Sequence, residues 1–432
     1  DSYEHLPGYF DLYWDENEGR LIVRIDRFDD EFLYQSSMAR GVGSNDIGLD
    51  RGQLGATRVV RFQRSGPKIL LIEENLGFRA VSDDADEQAA VAESFATSVV
   101  WGFEALGERD GAVFVDATDF LLRDAHSVSA RLADMGEGTF KPDASRSAIY
   151  MPMTKAFPDN TEMEAIVTFT GEATGRFLPT VLPDWQTVSV HLHHSFIRLP
   201  DDNYEPLPLD PRSGFFGAGF LDYASPVGES LQSSYAARHR LQKADPSAAS
   251  SEAVEPIVYY VDRGAPEPIR TALLEGARWW DQAFEAAGYE NAFQVELLPE
   301  GADPMDVRYN IIQWVHRSTR GWSYGGSVRD PRTNEIMKGK VTLGSLRVRQ
   351  DYLIAEGLLA PYDDEEKPNA MMEMSLARIR QLSAHEVGHT LGIQHNMAAS
   401  TQGRSSVMDY PHPLIRIGDD GRIDISQAYA EG

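Results

Sequence analysis

No cysteine occurs among the 432 residues, which excludes disulfides, thiolate metal ligands and thiol nucleophiles together. Any metal must be held by His, Asp or Glu. Long apolar runs are missing too: none reaches eighteen residues, so no stretch can cross a bilayer as a helix. Basic charge is scarce, with 40 Lys and Arg against 67 Asp and Glu and a formal net charge of −27. Without a basic stripe to neutralise phosphates, nucleic acid is excluded as a partner. The chain also lacks a complete EF-hand loop, a G-x-G-x-x-G string and a repeat of fixed period. Its acidic clusters, SDDADE (82–87) and DDEE (363–366), read as solvated loops. Asp1 follows neither an initiator Met nor a leader, and the expectation is a removed signal peptide or artificially set ends.

What is present is an ordinary globular composition, 42% hydrophobic and 25% charged, long enough for two or three domains. The first half is β-rich. GYFDLYWDENEGRLIVRI (8–25), TRVVRFQRSGPKILLIEEN (57–75) and SVVWGFEALGERDGAVFVDAT (98–118) each set two β-rich runs around a turn, as hairpins do. EAIVTFTG (164–171) and TVSVHLHHSFIRL (187–199) add strands. QKADPSAASSEAVEP (242–256) then breaks the pattern with Ala, Ser, Asp and two prolines. The expected organisation is an antiparallel β domain over 1–245, a linker over 246–254 and a second domain over 255–432, in the α+β class. In the second domain a helix over 266–288 places Ile269, Leu273, Ala277, Trp280, Phe284 and Ala287 on one face, with Trp279, Trp280 and Phe284 as core residues. Strands at 293–298, 308–316 and 339–345 lead to a second long helix over 371–392.

That helix carries SAHEVGHTLGIQHN (383–396), three of the chain's 11 histidines in fourteen residues. His385 and His389 lie four apart, so both imidazoles leave one helical face and can share a cation. Gly392 permits a left-handed backbone that ends the helix and brings His395 back to the same point. The string is H-E-x-x-H-x-x-G-x-x-H. Three neutral imidazoles leave a tetrahedral Zn2+ one position for water, the catalytic form of a zinc site, and Glu386 stands beside it as general base.

HEVGHTLGIQH, followed thirteen residues later by the Met of SVMDYP (406–411), resembles the metzincin clan of zinc metallopeptidases. The whole chain is most similar to the large bacterial extracytoplasmic "Met-zincin" metalloproteases, which have an N-terminal β-rich domain of unknown role; DPRSGFF (210–216) and AARHRLQK (236–243) fit that pattern. The resemblance implies a twisted mixed sheet, an active-site helix, one catalytic zinc ion and a Met-turn at Met408. It also implies that Tyr410 contacts the metal at rest and the oxyanion during turnover, and that GKVTLGS (339–345) is the edge strand lining the cleft. Asn396 replaces the residue that marks the better-known subgroups, so no subgroup follows. ISQAYAEG (425–432) looks like the start of a helix, and the C-terminal substrate wall is expected to be truncated.

The reading is therefore a zinc endopeptidase with a peptide or protein substrate, placed outside the cytoplasm, periplasmic, on the outer surface or secreted, by resemblance. Its oligomeric state is open. A zinc hydrolase of non-peptide amides uses the same residues; a metal-binding scaffold without turnover would have no need of Glu386. His191 and His193 share one face of a strand, expected to be a solvent or interface face, and His412 is expected to pack in its loop. With no cysteine, latency could come only from a carboxylate such as Asp210 or Asp222, and the expectation is that residues 1–245 dock without ligating zinc.

Overall fold

The hairpins of the first half form because their apolar residues alternate and their turns carry residues that tolerate positive φ. Between Ser98–Arg109 and Ala112–Asp116, Asp110 and Gly111 adopt φ of 52° and 77°, as a tight primed turn requires. The computed structural model describes residues 3–319, 321–360, 367–410 and 412–429. The DDEE cluster at 363–366 lies outside them.

The three predicted hairpins are antiparallel pairs within one thirteen-stranded sheet. Its centre is the pairing of Phe32–Arg40 with Thr187–Ile197, and of that strand with Asn160–Ala173. One face buries an aromatic core in which Phe10 lies 5.1 Å from Phe32, 5.5 Å from Phe62 and 5.7 Å from Phe196, ring centre to ring centre. Each buried phenyl contributes about 2–3 kcal/mol by leaving water.

A six-stranded mixed sheet follows. Phe293–Leu297, Ile257–Val261, Asn310–Val315 and Glu335–Gly344 run parallel in that order, and Tyr324–Arg329 pairs antiparallel with Glu335–Gly344. The class is thus α+β, as expected. Helix Ile269–Arg278 packs on helix Lys367–Thr390 at Gly276, where a Cβ would overlap the Arg380 carbonyl. Ser383 donates to Leu273 O at 2.8 Å across the same contact.

Several expectations change. GKVTLGS is not an edge: Asn310–Val315 flanks it on one side and Tyr324–Arg329 on the other. The edge strand is Tyr324–Arg329, whose Gly325 and Gly326 hide it from any search for apolar alternation. The helix expected over 266–288 divides at Trp279 into Ile269–Arg278 and Trp280–Ala286, and helix Leu346–Leu359 was not expected. Ile425–Tyr429 form a turn, with Ile425, Ala428 and Tyr429 buried against Met371 and Met374. Residues 430–432 of the expected helix lie outside the described residues. Residues 246–254 include Ser251–Glu252, which pairs with Tyr289–Glu290.

The two sheets meet through polar and apolar contacts. Arg317 makes a buried bidentate pair with Asp50, at 2.9 and 3.0 Å. Leu33, Val59 and Ile197 pack with Val307 and Val328. Arg238–His239 joins the second sheet by pairing with Glu335 and Ile336.

Candidate metal centre

The last turn of Lys367–Thr390 and the residues after it build the site. Gly392, at φ 97°, ends the helix: Gly392 N–H bonds to His389 O at 3.1 Å and Ile393 N–H to Gly388 O at 3.0 Å. The reversal brings His395 back over the helix. His385, His389 and His395 each offer a nitrogen, all within 4.8 Å of one another, and among the described residues they are the one such group of three or more donors.

Hydrogen bonds at the far ring nitrogens fix two tautomers. His385 Nδ1 donates to Val407 O at 2.7 Å and His389 Nδ1 to Ile393 O at 2.8 Å, which leaves each Nε2 with a free lone pair. His389 Nε2 faces His395 Nε2 at 3.0 Å. Such a contact needs a proton or a cation between the nitrogens. A tetrahedral zinc ion with bonds of about 2.0–2.1 Å spaces its nitrogens by about 3.3–3.4 Å, so the donor set fits with small adjustments. Burial lowers the pKa of His385 to about 4 and also lowers that of His389, which keeps both imidazoles neutral, the form a metal requires.

Glu386 is buried beside the histidines. Desolvation pushes its carboxyl up to about 8, against the pull of Arg378 and a hydrogen bond from the Gly325 backbone. Gly325 lies so close that a Cβ would overlap Glu386 O, which is the physical reason for glycine in the edge strand. Tyr410 stands at the rim, its ring centre 4.5 Å from that of His395 and 5.4 Å from that of His385. Met408 is buried, and a Cβ on Gly388 would overlap its sulfur and come within 2.6 Å of Trp280 Cζ2. The Met408 turn is also tied to the histidine loop, because Asn396 N–H donates to Met408 O at 2.8 Å.

Other candidates fall elsewhere. His412 is exposed and makes no described contact at the histidines. Asp210 pairs with Arg212 at 2.6 Å, and Asp222 accepts from Val81 N at 2.9 Å. His191 and His193 are not on a solvent face. They are buried, His191 bonded to Glu164 at 2.7 Å and His193 bridging Glu162 at 2.6 Å and Glu164 at 3.2 Å. The shared face was correct; the carboxylates that satisfy it sit on the neighbouring strand, out of reach of a local pattern.

Residues from the first half complete the surroundings, which the motif could not announce. Phe216 N–H donates to Gly392 O and Gln394 N–H to Gly214 O, both at 2.7 Å. A Cβ on Gly392 would overlap Ala237 O. A close backbone approach is therefore the second reason for this glycine.

Three imidazoles on a helix and its return loop, with His385 buried, His389 half-buried and His395 exposed, the Glu386 carboxyl buried beside them and a methionine turn beneath, describe a metzincin-type metal centre. Residues 367–432 match the Met-zincin family, and residues 52–244 match a domain of unknown function, DUF5117. No curated protein and no solved structure matches the chain.

Proposed function

We propose that the protein is a zinc-dependent endopeptidase, with His385, His389 and His395 as ligands of one ion and Glu386 as general base. The observation that carries this reading is the convergence of the three histidines, two in the tautomer that frees Nε2, beside a buried carboxylate. The Met-zincin match over the same residues supports it. Zinc, when bound, supplies a Lewis acid and a water of lowered pKa.

The chain's own groups do the remaining work. Glu386, held by the Gly325 N–H, accepts the proton of the attacking water and returns it to the departing amine. Tyr410 donates its phenolic hydrogen to the developing oxyanion. The free side of Tyr324–Arg329 pairs with no described strand, and an extended peptide would add there by main-chain hydrogen bonds. In this reading residues 1–245 form a domain that shapes the cleft without ligating zinc, 246–254 link it, and 255–432 form the catalytic unit. Its extracytoplasmic placement rests on the resemblance to bacterial Met-zincins.

The test is elemental analysis with peptide-library cleavage, for the wild type and His389→Ala. One zinc per wild-type chain, lost in the variant together with chelator-sensitive cleavage, is expected. Unchanged zinc content in His389→Ala sinks the ligand assignment. A zinc-loaded wild type that cleaves non-peptide amides but no peptide sinks the endopeptidase reading.

A further inference from the structure

Beside the metal centre stands an aromatic side chain that the motif does not contain. Phe216 belongs to the segment 214–216, which runs along the loop of the third histidine. Its N–H donates to Gly392 O at 2.7 Å, its carbonyl accepts from Ala237 N at 2.8 Å, and Phe215 O accepts from Gln394 Nε2 at 2.9 Å. The backbone on both sides of the ring is therefore pinned. Side chains alternate along such an extended segment. Phe215 turns inward to a pocket shared with Trp280, Phe284 and Ile393. Phe216 turns the other way, with its ring centre 5.8 Å from that of His389, and remains 37% exposed.

A scattered apolar side chain on a surface needs no explanation. This one differs in two respects. It is held rigidly by main-chain bonds, so little entropy remains to be lost when something covers it. It also adjoins a ligand histidine, His389, whereas Tyr410 packs on His395 and His385. A substrate whose scissile carbonyl lies at the histidines can pass one of its neighbouring side chains over this ring. The ring offers no hydrogen-bond partner and only apolar contact.

We propose that Phe216 is a specificity-determining residue, forming the wall of the subsite next to the metal and selecting substrates with an apolar side chain there. The inference rests on the endopeptidase reading for its substrate class, but its geometry concerns ligands at the metal in general.

The experiment separates the two. The zinc-loaded full-length chain, wild type, Phe216→Ala and Phe216→Leu, is titrated calorimetrically with acetohydroxamate and with peptide hydroxamates carrying an isobutyl or a carboxamide side chain on either side of the chelating group. In the wild type the isobutyl compound should bind roughly 10–100-fold more tightly than the carboxamide in one of the two placements. Phe216→Ala should remove most of that ratio while zinc content and acetohydroxamate affinity stay unchanged, and Phe216→Leu should retain it. A ratio near one in the wild type, or one that survives Phe216→Ala, overturns the proposal. So does a parallel loss for all ligands including acetohydroxamate, which would mean that the ring only holds His389 in place. If the expected pattern appears and the wild type still cleaves no peptide, the proposed function fails and the subsite stands.

Discussion

Replacing Gly392 by Ala tests the site through two separate physical costs. The first is conformational: at φ 97° an L residue with a Cβ pays about 1–2 kcal/mol. The second is steric, because the new Cβ would overlap the Ala237 carbonyl and approach Phe215 Cδ1 at 3.3 Å. Ala237 cannot simply yield, since its N–H is bonded to Phe216 O at 2.8 Å. Displacing packed backbone costs about 1–3 kcal/mol. Against these, Ala restricts the unfolded chain and returns about 0.4–1 kcal/mol. The net loss should be about 1–5 kcal/mol, read as a lowered urea midpoint, with weaker zinc binding in chelator competition because His395 is displaced. Gly392→Asn resolves the two costs: Asn tolerates the left-handed region but keeps the overlap, so it should fall between wild type and Ala. An Asn variant as stable and as zinc-retentive as wild type would refute the close approach of Ala237. An Ala variant equal to wild type would refute the whole argument.

Glu386→Gln should keep its zinc and lose peptide hydrolysis by roughly 10²–10⁴ or more, whereas Tyr410→Phe should lose about 10–10³; wild-type turnover in the Gln variant would remove Glu386 from the mechanism. Stability should fall in alkaline solution. Burial alone would depress His193, but hydrogen bonds to Glu162 and Glu164 outweigh it and raise its pKa to about 9, above the ordinary value of about 6.5. Its contribution is therefore full below about pH 6.5 and lost as pH rises through about 9, an effect of up to about 3 kcal/mol. Urea midpoints taken near pH 6 and near pH 10 should differ in the wild type and converge in His193→Gln; equal slopes in the two would discount this network. Asp210→Ala and Asp222→Ala should not activate peptide cleavage, because both carboxylates are engaged away from the histidines. Strong activation by either would establish a carboxylate switch.

The parts of the site that were legible in the sequence are those fixed by local geometry. Helical spacing aligns His385 with His389, a glycine stop returns His395, and no distant residue is needed to read either. The hairpins were legible for the same reason, their alternation and turns lying within about twenty residues. Long-range requirements were not. Gly325 occupies an edge strand that presses on the helix carrying His385 and His389, whereas Gly326 meets only Leu54, and a glycine pair otherwise signals a turn. Helix Leu346–Leu359 exposes the apolar Leu353 and Ile354 and buries Asp351, which pairs with Arg347, so hydrophobic periodicity misleads there. Alternation showed that His191 and His193 share a face, yet only pairing with the strand Asn160–Ala173 supplies Glu162 and Glu164.

The same distinction bears on what the first half of the chain does. A domain that merely precedes a peptidase would touch it at a replaceable surface. Here Ala237 and Phe216 meet the backbone of the loop that carries His395, and Arg238–His239 adds to the second sheet. The buried guanidinium of Arg317 has its bidentate partner in Asp50. Removing one member of a buried ion pair costs about 3–5 kcal/mol, because the other is left charged and unpaired. Separating the halves would expose Val307 and Val328 as well. The first half thus stabilises the arrangement of the histidines, and Phe216 extends the same contact into the space a substrate would fill. Stability and selectivity, on this view, are supplied by one segment, and Phe216→Ala can remove the second without the first because the main-chain bonds that hold the loop do not involve the ring.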